Sequence, residues 1–246
     1  MLASIGAAVL VAVLFFSFLL SSGLLHERGA GIELPSEEED APQVSQGGLI
    51  LTAQSVAEID INTNNAQKVI STLIRPDAYS CRIENTLYFS GGSATRFCRR
   101  YARGQAVRTD TLNASGTVES TLLRANDTAY SWNAGDRSYY KGAWGDFSDD
   151  ASAMLPTYED VLQEGVKLQD AAKQDVDFEP CIRAAFEQDG YRCVYYISTA
   201  SGLLKTASFY EGDTLVRQVT VSELQAGEPG EELFTLPGGQ SVLGEE

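Results

Sequence analysis

Residues 79–112 read YSCRIENTLYFSGGSATRFCRRYARGQAVRTDTL, three runs of alternating polar and apolar residues broken at Gly91-Gly92 and at Gly104. Successive side chains of a strand point to opposite faces, so a period of two marks a half-buried strand, and glycine between two such runs marks the turn that joins them. The stretch predicts strands over 79–89, 94–103 and 105–112. The same pattern continues over 117–124, 128–133 and 138–141, with turns at 113–116, 126–127 and 134–136. After an acidic loop, 145–152, it resumes over 178–186, 191–198, 203–210 and 215–222.

Two interruptions read as helices. Ala66, Val69, Ile70, Leu73 and Ile74 recur at helical spacing behind the capping run 62–65, and Arg75-Pro76 ends the repeat. Thr157 with Asp160 three residues on resembles a capping box, and Tyr158, Val161, Leu162 and Val166 supply one apolar side. Ahead of the first helix, 56–61 (VAEIDI) alternates like a strand. The expected class is mainly β (α+β). Ten or so antiparallel strands exceed what an open sheet holds flat, so the sheet should curl into a half-barrel with the two helices on its concave side.

Upstream, 2–25 (LASIGAAVLVAVLFFSFLLSSGLL) carries no charge and exceeds the roughly 20 apolar residues that cross a bilayer. It reads as one N-terminal transmembrane helix; a cleaved secretory signal ending at Ser21-Ser22-Gly23 is the alternative. His26 and Arg28 after the run favour the opposite orientation by the positive-inside rule, but the cysteines described below place the following domain outside the cytoplasm. Residues 26–48 are rich in Pro, Gly and acid and form a solvated linker. The expected organisation is anchor 1–25, linker 26–48, extracytoplasmic domain 49–239 and tail 240–246.

The whole chain carries 18 basic and 34 acidic residues. Setting aside Arg28 and the six acids of the linker leaves 17 against 28, a net of −11 for the domain. That excludes nucleic acid as a partner, because phosphates demand an electropositive face, and disfavours docking on an anionic membrane surface. The only histidine is His26, so no base stands beside a nucleophile in the domain, and the sequence reads as a non-enzyme with no cofactor and no metal site.

Four cysteines follow the anchor, Cys81, Cys98, Cys181 and Cys193, in pairs spaced by 17 and 12 residues. In an exported chain an even count reads as disulfides, and 81–98 with 181–193 is the favoured of three connectivities. Arg96, Arg99, Arg100 and Arg103 form a basic cluster inside an acidic domain. On a strand Arg99 and Arg103 share one face with Phe97 and Tyr101, while Arg96 and Arg100 share the other with Cys98. Pairing with nearby acids and contact with a carboxylate or lipid phosphate are the two readings of that cluster.

The order of helix, meander, middle helix, further hairpins and a closing Phe234-x-Leu236-Pro237-x-Gly239 resembles the superfamily of LolA, LolB and the N-terminal domain of RseB, over about 49–238. The run Leu155-Pro-Thr-Tyr-Glu-Asp160 is similar to uncharacterised membrane proteins of Gram-positive anaerobes, and the layout as a whole resembles uncharacterised exported proteins of spore-forming Gram-positive bacteria. The resemblance implies a half-open barrel whose apolar cavity takes acyl chains or a partner peptide. The chain is therefore expected to be a single-pass, membrane-tethered extracytoplasmic binding module for a lipid, an acylated protein or an envelope partner. The alternative is a structural or regulatory scaffold of the envelope or spore with no small ligand.

Overall fold

The computed structural model describes residues 53–144 and 155–244, and these belong to one compact unit, Ser45–Glu246. The expected anchor and linker lie outside the described residues. Among the described residues, no helix is long and apolar enough to cross a membrane.

Two short helices, α1 (Ala53–Glu58) and α2 (Ala66–Thr72), precede eleven strands. The first six are β1 (Ala78–Phe89), β2 (Gly92–Arg103), β3 (Ala106–Leu112), β4 (Val118–Ala125), β5 (Thr128–Asn133) and β6 (Tyr140–Ala143). A 3-10 turn at Tyr158–Leu162 separates them from β7 (Leu168–Val176), β8 (Glu179–Gln188), β9 (Tyr191–Ser198), β10 (Leu204–Glu211) and β11 (Thr214–Ala226). A second 3-10 turn, Glu231–Phe234, follows.

All eleven strands form one antiparallel sheet in the order β6-β5-β4-β3-β2-β1-β11-β10-β9-β8-β7. The chain lays down β1 to β6 outward, then returns from the far edge, so that the last strand closes on the first with Ile83 opposite Val221. β6 and β7 are the two edges, and the sheet is not closed into a barrel.

One register row runs Asn85, Val219, Ala207, Tyr195, Ala184, Ala171 across six strands. All six are buried. The three alanines in that row leave a shallow floor, and Val56, Ala66, Val69 and Ile70 of α1 and α2 belong to the same core cluster. Gln67 fixes α2 over this floor by donating Nε2 to the carbonyls of Val161 (2.8 Å) and Val166 (3.1 Å). The opposite face of the sheet is covered elsewhere: Phe234 and Leu236 pack on Ala106, Leu123 and Ala125 of β3 and β4.

Several expectations change. The strand expected over 56–61 does not form: its first three residues end α1 and the rest is irregular, with Val56 and Ile61 buried in the core cluster that α2 shares with the sheet. The segment expected as a second helix makes only the five-residue 3-10 turn, although its capping box of Thr157 and Asp160 is present. β7 was not legible, because an edge strand with sequence LQDAAKQDV buries little beyond Ala171. Within the segment read as a loose tail, Ser241 and Val242 fold back: Val242 donates its amide to the Phe234 carbonyl at 2.9 Å and Ser241 bridges Thr235.

The expected disulfides are also corrected. All four cysteines are buried free thiols. Cys193 faces Phe186 on the helix side of the sheet, whereas Cys181 faces Ser198, and the odd offset of five residues puts it on the opposite face. A sheet stands between the two sulfurs. Cys81 and Cys98 do share a face, but Cys98 is paired with Ile83 and Cys81 with Arg100. Such a diagonal separates Cβ atoms by nearly 7–8 Å, against the roughly 4 Å that a disulfide requires.

Candidate functional site

The helices cover only the half of their face that lies over β1 and β8 to β11. Over β1 to β4 the same face is open and floors a cleft of about 540 Å³. Cys81, Ile83, Ala102, Val107 and Leu122 supply the apolar floor. One wall is the stretch from Arg75 to Asp77 behind α2, and the other is the Leu155–Gln163 segment carrying the 3-10 turn. Trp144, at the end of β6, stands at the rim.

The walls are held by specific contacts. Thr157 and Asp160 cap the 3-10 turn reciprocally, Thr157 Oγ1 accepting from the Glu159 amide at 3.2 Å and Asp160 Oδ2 accepting from the Thr157 amide at 3.0 Å. The Tyr195 hydroxyl donates to the same carboxylate at 3.1 Å. On the other wall Arg75 donates Nε to the Gly202 carbonyl and Nη1 to the Leu73 carbonyl, both at 3.0 Å, and lies 3.7 Å over the Tyr158 ring. It thereby caps the end of α2 and joins the two walls.

Burial sets the electrostatics of this site. It pushes the Asp160 carboxyl above the usual carboxylate range, against the opposing pull of the Thr157 amide, the Tyr195 hydroxyl and Arg100. It likewise raises Tyr79 and Tyr158, and it pushes the Cys81 thiol up to about 11.

The basic cluster divides as strand parity dictates. Arg103 turns to the other face of the sheet and pairs with Glu228 (3.1 Å) and Glu231 (3.3 Å). Arg96 and Arg99 are exposed. Arg100 alone of the four lines the cleft, beside Tyr79 and Cys81. The neighbouring Arg108 belongs to the far face, where it donates to the buried Asp110 at 2.8 Å and to the Leu233 carbonyl at 2.8 Å, locking the C-terminal segment to β3.

Sequence reasoning did not find the floor residues Val107 and Leu122. A signal was present, since Ala106-Val107 and Leu122-Leu123 place apolar residues on both faces of β3 and β4. Among the described residues no group of three or more His, Cys, Asp or Glu is arranged to hold a metal ion.

No protein-family model matches the chain, and no curated protein matches it. Solved structures do. A LolA superfamily protein from Nitrosomonas europaea is 11% identical, with 75% of this chain and 98% of that one covered and a TM-score of 0.35. The structure of MucB is 14% identical over 69% of this chain and 61% of its own length, with a TM-score of 0.47. An uncharacterised conserved protein from Thermus thermophilus is 10% identical over 63% and 82%, with a TM-score of 0.45.

Proposed function

We propose that the chain is a membrane-tethered extracytoplasmic binding module, whose cleft over β1 to β4 holds an acyl chain, free or as part of a lipoprotein. The observation that carries the reading is the cleft that opens beside the helices. Ile83, Ala102, Val107 and Leu122 floor an open cleft of about 540 Å³ on the face that α1 and α2 cover elsewhere. Ligand sites commonly pair an apolar surface with placed polar groups, and here an apolar floor is ringed by the charged side chains of Arg75, Asp77, Arg100, Arg124, Glu159 and Asp160. The tether is the apolar run 2–25, and the acidic linker 26–48 sets the reach of the domain from it. A module fixed to its membrane is stationary, so the reading is of a receptor or holder rather than a shuttle.

The test is photo-labelling of the full chain in lipid nanodiscs with a diazirine-bearing fatty acid, followed by peptide mapping. Labels concentrated on peptides of β1 to β4, and lost in a Leu122→Trp variant that fills the cleft, support the reading. Labels scattered over the surface and indifferent to Leu122→Trp contradict it.

A further inference from the structure

Three arginines face the cleft, and two of them are engaged. Arg75 gives its three nitrogens to the carbonyls of Gly202, Leu73 and Ile70. Arg124 reaches the Asn126 carbonyl at 3.4 Å and stacks 4.9 Å from the Trp144 ring. Arg100 differs. It lines the cleft beside Tyr79, and its Nε is buried and meets no hydrogen-bond acceptor among the described residues. A buried N–H of a charged group without an acceptor is unfavourable, and a bound acceptor would relieve it. Of the carboxylates that line the cleft, Asp77, Glu159 and Asp160, none accepts from Arg100 Nε. Asp160 Oδ2 already accepts from the Thr157 amide and the Tyr195 hydroxyl. Arg100 itself rises from β2 with Ala102 as its neighbour on the same face.

We propose that Arg100 is the head-group site of the cleft, binding the oxyanion of an amphiphile, carboxylate or phosphate, whose chain lies along Ile83, Ala102, Val107 and Leu122. A guanidinium presents its N–H donors as a planar fork that matches both oxyanions. The inference rests on the reading of the cleft as an acyl-chain site and adds the charge of the ligand to it.

The experiment compares four probes on the full chain in nanodiscs at pH 8: a diazirine fatty acid, its methyl ester, the corresponding alkyl phosphate, and inorganic phosphate as competitor. The readout is labelling of β1 to β4 peptides. The expected result is that the acid and the alkyl phosphate label at least about tenfold more than the ester, as a charge-assisted hydrogen bond predicts. Arg100→Gln should abolish that preference, bringing acid and alkyl phosphate labelling down to the level of the ester, and a cooperative urea transition close to that of wild type shows the variant to be folded. Suppression of acid labelling by inorganic phosphate would assign the site to the oxyanion alone, and resistance to it would assign the site to an oxyanion joined to a chain; either supports Arg100. Equal labelling by acid and ester, unchanged in Arg100→Gln, overturns this inference and leaves the acyl-chain reading standing. No cleft labelling by any probe overturns that reading as well.

Discussion

The Tyr195 hydroxyl donates to Asp160 Oδ2 at 3.1 Å, tying the central row of the sheet to the 3-10 turn that walls the cleft. Burial holds the Asp160 carboxyl above its ordinary 3.8. The folded chain therefore keeps this proton at pH values where the unfolded chain has released it. Stability contributed by the group is present below the ordinary carboxylate pKa and is lost as pH rises through the raised one. Asp160→Asn should flatten that part of the profile. The check is the urea midpoint of wild type and variant from pH 3.5 to 7: the difference between them should shrink or reverse toward high pH, and parallel curves would contradict the assignment.

The four thiols should be free and slow to react. Burial pushes Cys81 and Cys193 up to about 11 and Cys181 up to about 12, and it raises Cys98, so little thiolate is present near neutrality. Alkylation at pH 7.5 should be slow in the native protein and should add four groups in guanidinium. A mass increase on reduction would show a disulfide and contradict the free thiols, and a peptide map joining Cys181 to Cys193 would contradict the strand parity that separates them.

Gly202 should not tolerate a side chain. Its φ is +66°, and a Cβ there would lie 2.7 Å from Arg75 Cγ and 2.8 Å from the Ile74 carbonyl oxygen. Gly202→Ala should cost about 2 kcal/mol or more in denaturant unfolding. It should also loosen Arg75, and with it the wall of the cleft. An unchanged midpoint would contradict the close approach.

Phe178 is the opposite case. It occupies the left-handed region at φ +65° in the turn between β7 and β8, and its side chain is 102% exposed. Phe178→Gly should stabilise the fold by about 1 kcal/mol, because a bulky residue pays for that conformation without packing in return. A loss of stability would reveal a contact made by the ring.

Much of this architecture was legible in the sequence, because period-two runs and glycine turns are local. The hairpin 79–103 and strands 128–133 and 191–198 fall within a residue or two of their observed bounds. The split of Arg100 from Arg99 and Arg103 also follows from alternation alone. What escaped depends on distant partners. VAEIDI alternates, yet its burial is decided by a sheet face built from residues more than a hundred positions away. Cys181 and Cys193 looked like hairpin partners until the two-residue turn at Asp189-Gly190 set an odd offset between them. The cleft exists because two short helices cover half of one face, which no single segment encodes.

The claim that the cleft retains an amphiphile is tested most directly by native mass spectrometry of the full chain released from its own membranes. One tightly held amphiphile per chain is expected, with an acidic head group, retained after bulk lipid is stripped and absent from Leu122→Trp. A wild-type chain that flies bare under the same conditions, or an adduct that Leu122→Trp keeps, would contradict it.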